Sequence, residues 1–224
     1  GRLMASVNYM TQVLFAVGMI SNALNAAVRA AASSARVGEV LDERPAQPVA
    51  GEPLRPKIKG DIRFEHVSFA YAGAGKEALH DINIHIRQGE TVGIIGSTGS
   101  GKTTLVNLVP RFYDATQGTL WIDGCDATQI DGKLLRRAAA VVPQKALLFS
   151  GTIRDNLRWG SEEASDEELY RAAKTACADD FIRQSEQGYD TLLGQGGVNL
   201  SGGQKQRLSL ARALVRNPRV LILD

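Results

Sequence analysis

The stretch Gly96-Ser97-Thr98-Gly99-Ser100-Gly101-Lys102-Thr103-Thr104 lies between an apolar run and a helix-forming run. It fits GxxxxGK[ST], in which glycines let the backbone curl so that its N–H groups converge on phosphate at a helix N-terminus. We expect Lys102 to reach the β- and γ-phosphates, Thr103 to offer its hydroxyl to Mg²⁺, and Thr104 to contact the α-phosphate side. This context disfavours an incidental glycine-rich turn and predicts a nucleoside triphosphate site.

A second candidate phosphate site is Leu200-Ser201-Gly202-Gly203-Gln204. The spacing of Ser201 and Gln204 is that of a capping box, in which the two residues exchange hydrogen bonds at the start of a helix. A cap alone requires neither the two successive glycines nor the flanking Gly196 and Gly197. Close approach of backbone N–H groups to a phosphate does require glycine. The segment is therefore predicted to bind an anion as well as to start a helix.

The apolar patterns predict an α/β core with an added antiparallel β piece. Strands are expected at Ile62–Phe69, Ile82–Arg87, Thr91–Ile95, Thr119–Ile122, Ala139–Val142 and Val220–Leu223. Helices are expected at Lys102–Val109, Asp166–Ala176 and Gly203–Val215.

The N-terminal segment is a candidate membrane span. Residues 3–28 carry no charge, and as a helix they would reach ~39 Å at ~1.5 Å per residue, which exceeds the ~30 Å bilayer core. One helical face is polar or small, including Asn8, Thr11, Asn22 and Asn25, and the opposite face is apolar. The polar face fits a transport cavity or a helix-packing seam, and an ordinary soluble helix is the alternative to a span. Arg29 and Arg36 follow the segment, which favours a cytoplasmic location for what comes next.

Prolines then divide the chain. Pro45, Pro48, Pro53 and Pro56 predict an extended linker. The predicted organisation is a transmembrane helix with its extension over residues 1–44, a linker over 45–60 and a nucleotide-binding domain over 61–224.

Charge and cysteine content exclude some classes of function. Lys and Arg number 26 against 24 Asp and Glu, and this net charge of +2 is too small to indicate nucleic-acid binding. Cys125 and Cys177 lack CxxC spacing, which disfavours a zinc site or a disulfide framework.

These motifs together resemble the ABC transporters, and among them the exporters whose membrane and nucleotide-binding domains share one chain. The resemblance covers nearly the whole chain. It is carried by Tyr71, Gly96 to Thr104, VVPQKALLFSGTIRDNL at Val141–Leu157, LSGGQKQRLSLARAL at Leu200–Leu214 and VLILD at Val220–Asp224.

The resemblance implies a P-loop fold of ABC type with a helical subdomain, and a head-to-tail dimer that encloses two ATP molecules with Mg²⁺. Ser201, Gly203 and Gln204 would then act on the ATP of the partner chain. Tyr71 would stack on adenine, with strand packing as its alternative. Gln144 would contact Mg²⁺ or the attacking water, and Asp224 would support Mg²⁺. Lys102, Gln144 and Asp224 are the implied catalytic residues.

The implied function is ATP-driven export by an integral protein of the cell membrane, with a cytoplasmic nucleotide-binding domain. Its expected contacts are membrane lipid, a transported substrate and a second half-transporter. The run GVNLSGGQKQRLS, with FSGTIRDNLRWG before it, resembles subunits of heterodimeric exporters, which implies a heterodimer rather than a homodimer. Because the family's catalytic glutamate would follow Asp224, these residues alone are expected to hydrolyse ATP poorly. A soluble ABC ATPase acting as a mechanical clamp is the alternative, whereas a simple P-loop kinase leaves LSGGQ unexplained.

Overall fold

The computed structural model of the protein describes residues 2–42 and 52–224. The chain divides into two compact units, Gly1–Pro48 and Val49–Asp224. The first unit contains helix α1 (Arg2–Leu41), whose residues are almost all exposed. Within the described residues, α1 is the one helix long and apolar enough to cross a membrane. Pro45 and Pro48 of the predicted linker lie outside the described residues.

The second unit begins with an antiparallel sheet, as predicted. Its strands are β1 (Ile62–Phe69), β2 (Leu79–Ile86), β3 (Gln117–Ile122) and β4 (Cys125–Asp126), in the order β2-β1-β3-β4. The apolar residues of β1 (Ile62, Phe64, Val67 and Phe69) are buried in one core with Leu105 and Leu108 of helix α2 (Lys102–Leu108), which begins at Lys102 of the phosphate loop. Residues 54–58 also join this unit, because Leu54 pairs with Ile130 and Ile58 is buried in the core. The apolar faces of the sheet and of α2 therefore fix the end of the phosphate loop.

A parallel strand pair follows. Helix α3 (Gly132–Ala138) leads into β5 (Ala139–Val142), which pairs in parallel with β8 (Val220–Leu223). Parallel strands place their carboxyl ends at one edge of the sheet. Gln144 and Asp224, which follow these two strands, therefore lie at the same edge.

The predicted strand at Thr91–Ile95 does not form. These residues have no regular structure, and Ile95 is 99% exposed. The segment 91–94 faces β8 across an open groove. An apolar run becomes a stable strand only when other strands pair with it, and none of the described residues provides that pairing.

Helices form a separate cluster between β5 and β8. The cluster contains β6 (Gly151–Thr152), α4 (Ile153–Arg158), α5 (Asp166–Thr175), α6 (Asp179–Arg183), β7 (Leu192–Leu193) and α7 (Gly202–Val215). Its core includes Ile153, Leu157, Leu169, Ile182 and Leu208, all at most 1% exposed. Helix α7 packs on α4, α5 and β5, and so it connects LSGGQ at its start to the parallel strands.

Candidate nucleotide-binding site

The phosphate loop curls through two glycines with positive φ, Gly99 at 80° and Gly101 at 87°. Gly101 also approaches the preceding chain closely. A Cβ at Gly101 would lie 2.7 Å from the carbonyl oxygen of Ala78 and 2.9 Å from Leu79 Cδ2. A side chain here would therefore move the loop away from β2. Gly101 begins α2 without any side-chain cap, so the first N–H groups of the helix remain available to a ligand.

The ammonium group of Lys102 lies over this loop. Its Nζ donates hydrogen bonds to the carbonyl oxygens of Gly96 at 2.9 Å and Ser97 at 2.8 Å, and to Ser100 Oγ at 3.4 Å. The N–H of Ser100 donates to the carbonyl oxygen of Ser97 at 3.2 Å and closes the turn. The phosphate loop therefore combines a positive charge with a helix start that has no side-chain cap, and both features favour phosphate binding.

Thr103 and Asp224 are in direct contact although 121 positions separate them. Thr103 Oγ1 donates to the Asp224 carboxylate, at 2.9 Å from Oδ1 and 3.2 Å from Oδ2. The N–H of Asp224 donates to the carbonyl oxygen of Val142, which holds the carboxylate at the end of β8. Hydroxyl and carboxylate oxygens are the ligand types that Mg²⁺ prefers, and Mg²⁺ takes its other ligands from phosphate and water.

Gln144 follows β5 by two residues and is exposed. In residues 2–42 and 52–224, no three His, Cys, Asp or Glu side chains are placed to hold a metal ion by themselves. A magnesium ion at Thr103 and Asp224 would therefore depend on oxygens from the nucleotide, as is usual for nucleotide enzymes.

Tyr71 lies two residues beyond β1, with its hydroxyl 2.9 Å from Thr104 Oγ1. Thr104 is 7% exposed, whereas Tyr71 is 39% exposed and has ring surface available for a ligand. The structure thus places the predicted adenine-binding residue in contact with the helix that begins at the phosphate loop.

The LSGGQ segment starts α7 with a complete capping box. Ser201 Oγ accepts from the N–H of Gln204 at 3.3 Å, and Gln204 Oε1 accepts from the N–H of Ser201 at 2.9 Å. Nothing lies within 4 Å of a Cβ built on Gly202 or Gly203. Among the hydrogen bonds of the described residues, none joins residues 200–204 to 96–104. The two predicted phosphate-binding segments are therefore separate within one chain.

Sequence reasoning missed the roles of two arginines, Arg111 and Arg212. Arg111, which follows α2, is 4% exposed and forms a salt bridge with Asp114. Arg212 of α7 lies over the ring of Phe149, 5.8 Å from its centroid, and its guanidinium donates to the carbonyl oxygen of Leu147. Burial lowers the pKa of Arg212, which has no carboxylate partner among the described residues. Although Arg212 lies within the motif Leu200–Leu214, Arg111 contacts Thr128 and Arg212 contacts Leu147, so only the three-dimensional packing reveals these contacts.

Comparison with known proteins gives the family of the chain. Residues 79–224, more than half of the chain, match the protein family described as ABC transporter. The chain belongs to the ABC transporter family. Its α/β fold is that of an ABC nucleotide-binding domain preceded by a long helix, which confirms the predicted fold and the resemblance.

Relatives within the ABC transporter family include exporters. The chain is 42% identical over 228 residues to the β-(1→2)glucan export ATP-binding/permease protein NdvA of Bartonella bacilliformis, covering 100% of this chain and 38% of NdvA. It is 45% identical over 189 residues to the α-hemolysin translocation ATP-binding protein HlyB of Escherichia coli O157:H7, covering 84% of this chain and 27% of HlyB.

A bacterial Atm1-family ABC exporter solved with ATP bound has the same fold. Its TM-score is 0.80 at 38% identity, over 85% of this chain and 33% of the exporter chain. The chain therefore spans less than half the length of these relatives.

Proposed function

We propose that the chain is the ATP-binding part of an ABC exporter, which couples ATP binding and hydrolysis in a dimer of nucleotide-binding domains to transport across a membrane. The observation that carries the proposal is the meeting of Lys102, Thr103 and Asp224 at the phosphate loop. One cation, one hydroxyl and one carboxylate at this place match the requirements of a nucleoside triphosphate with Mg²⁺. The exporter relatives support the coupling to transport.

Each proposed catalytic residue has a defined part. Lys102 would stabilise negative charge on the β- and γ-phosphates, because its ammonium lies over the phosphate loop, at the start of a helix that has no side-chain cap. Bound Mg²⁺ would supply further positive charge to the transferring phosphoryl group. Thr103 and Asp224 would hold it, and Gln144 would contact the ion or the attacking water from the same edge of the parallel strands.

The site is completed by a second chain. Ser201, Gly203 and Gln204 are exposed or half-exposed at the start of α7 and are not hydrogen-bonded to the phosphate loop of their own domain. A head-to-tail dimer would bring this segment to the γ-phosphate held by the partner. We propose a second half-transporter as that partner, with a heterodimer favoured.

The location follows from α1. Helix α1 has the length and composition of a membrane span, and Arg29 and Arg36 lie in its second half. Positive residues near the end of a span favour the cytoplasmic side. We therefore place the protein in the cell membrane, with residues 61–224 in the cytoplasm. The printed names of the relatives give different cargoes, a β-(1→2)glucan and α-hemolysin, and we assign no cargo.

The test is the ATPase activity of the full-length protein in lipid. We expect Mg²⁺-dependent turnover that falls about 10²-fold or more in Lys102→Ala, because the phosphate charge loses its main cation. Lys133→Ala, which removes an exposed lysine of α3, is the matched control and should leave turnover unchanged. Equal turnover in Lys102→Ala and the wild type would refute the proposed site. Recovery of the native protein in the soluble fraction without detergent would instead favour a soluble ABC ATPase.

A further inference from the structure

Three aromatic rings meet beside the phosphate loop. Tyr71 is nearly perpendicular to Phe69, with centroids 4.8 Å apart, and nearly perpendicular to Tyr113, with centroids 5.3 Å apart. The rings of Phe69 and Tyr113 also pack together, with their centroids 5.4 Å apart. The hydroxyl at the far end of Tyr71 is bonded to Thr104. Two rings and one hydrogen bond therefore fix the orientation of Tyr71, although 39% of its surface is exposed.

Tyr113 is carried by a turn that ends α2. The N–H of Phe112 donates to the carbonyl oxygen of Asn107, and the N–H of Arg111 donates to that of Leu108. Together with the positive φ of Arg111, 56°, these bonds form a Schellman motif. Glycine is the usual residue at the positive-φ position because a side chain there is strained. An arginine at this position therefore needs compensating contacts that glycine could not make.

Arg111 makes such contacts through its buried guanidinium, and we call this set of hydrogen bonds the Arg111 clamp. Arg111 donates through Nε and Nη2 to the two carboxylate oxygens of Asp114, at 2.6 and 3.1 Å, and through Nη1 to the carbonyl oxygen of Thr128 at 2.9 Å. Further along, Thr116 donates through its N–H and its hydroxyl to the carbonyl oxygen of Ser68, the residue before Phe69. The turn that carries Tyr113 is thus attached on both sides to the body of the domain.

The clamp does not need Tyr113, and Tyr113 is itself 40% exposed. Its described aromatic contacts are with Phe69 and Tyr71. A ring that is already held in place loses less conformational entropy when a base stacks on it, and the base is consequently bound more tightly. Rings in edge-to-face contact also attract each other beyond their buried area.

We propose that Tyr113 is a positioning residue for the nucleobase, which holds the Tyr71 ring in the orientation that stacks on adenine. The inference rests on the proposed function, because it deepens the role of Tyr71 in that site. Arg111 and Asp114 fix the turn, Tyr113 fixes Tyr71, and Tyr71 contacts the base.

The test separates the base from the phosphates. Dissociation constants are measured for Mg-ATP and for Mg-tripolyphosphate, which has no base, with the full-length protein in lipid. Tyr113→Leu should weaken ATP binding about 3- to 10-fold, which corresponds to the cost of ordering one released side chain, that of Tyr71. It should leave tripolyphosphate unchanged. Tyr113→Phe keeps the ring and should restore the affinity for ATP.

Two controls make the result specific. Phe112→Leu changes the neighbouring aromatic residue of the same turn, which is 48% exposed, and should affect neither ligand. In a Tyr71→Leu background, Tyr113→Leu should have no further effect on ATP. Equal weakening of both ligands, unchanged ATP affinity in Tyr113→Leu, or additive effects of the two substitutions would each overturn the inference.

Failure of the inference differs from failure of the proposed function. If Lys102→Ala leaves both ligands bound as before, the proposed phosphate site is wrong. If Lys102→Ala weakens both ligands and Tyr71→Leu weakens ATP alone, while Tyr113→Leu changes neither, only the positioning role of Tyr113 is refuted.

Discussion

Ser201 has two predicted roles, and Ser201→Asp separates them. In the structure, its side chain caps α7 by accepting from the N–H of Gln204. Asp caps helices about as well as Ser, and a negative charge at a helix N-terminus contributes a further ~0.3–1 kcal/mol. We therefore expect Ser201→Asp to keep or slightly raise the free energy of unfolding. Ser201→Ala should lower it by about 1 kcal/mol, or about 2–4 °C in Tm.

The second role is contact with the γ-phosphate of the ATP that the partner chain binds, and Ser201→Asp should abolish this contact. A carboxylate about 4 Å from a phosphate charge costs about 4 kcal/mol at an effective dielectric constant of ~20. That energy corresponds to a loss of about 10³-fold in ATP-driven dimerisation or turnover. The matched control is Ser165→Ala, which breaks the same capping box at the start of α5. Ser165→Ala should lower Tm about as much as Ser201→Ala does, but it should leave ATP turnover unchanged.

The assays are thermal unfolding without nucleotide and ATPase activity of the full-length protein in lipid. Turnover of Ser201→Asp within about threefold of the wild type would refute the position of Ser201 at a phosphate, because ~4 kcal/mol of repulsion predicts far more. A Tm of Ser201→Asp as low as that of Ser201→Ala would refute the capping argument.

Two further predictions concern stability. Gly118→Ala should lower the free energy of unfolding by about 3 kcal/mol or more, because its φ is 75° and a Cβ would overlap the carbonyl oxygens of Glu65 and His66. Gly124→Ala has a similar φ of 78° with open space around the Cβ, so a urea titration should show a cost of only about 1 kcal/mol; equal costs would contradict the steric argument. Burial, and a hydrogen bond to Asp179 at 2.6 Å, raise the pKa of Tyr189 above its ordinary value of 10.0. The contribution of Tyr189 to the free energy of unfolding is therefore complete below pH 10.0 and is lost as pH rises through the folded-state pKa. Tyr189→Phe should cost about 1–2 kcal/mol at neutral pH and remove this alkaline loss, and a tyrosine that ionises near pH 10 in the folded wild type by absorbance at 295 nm would contradict it.

The elements that the sequence predicted well are those defined by local patterns. The capping box of Ser201 and Gln204 and the start of α2 after Gly101 both depend on neighbouring residues. Strand β1 was predicted with its observed bounds because it is a short run with apolar residues at Ile62, Phe64, Val67 and Phe69, all of which are buried. Thr91–Ile95 was wrong as a strand because strand formation depends on pairing with distant segments, which the apolar pattern does not specify.

The candidate site divides in the same way. Motifs predicted that Lys102, Thr103 and Asp224 are site residues, and this remains a prediction. The contact between Thr103 and Asp224, however, requires the pairing of β5 with β8, which no motif specifies. Arg111 was missed because its buried clamp depends on Asp114 and on a carbonyl group 17 residues away. A single arginine after an apolar helix otherwise indicates a solvated residue.

The starts of α2 and α7 differ in their free N–H groups, and this difference predicts which of the two binds nucleotide first. Helix α2 begins at Gly101 without a side-chain cap, so its first N–H groups are free for phosphate. At the start of α7, the capping box already satisfies the N–H groups of Ser201 and Gln204, and Gly202 and Gly203 lie between them. The phosphate loop therefore offers more unpaired donors, along with the charge of Lys102, and we expect it to bind nucleotide first. The LSGGQ segment, with fewer free N–H groups, should add affinity only when a nucleotide is already held by the opposing domain.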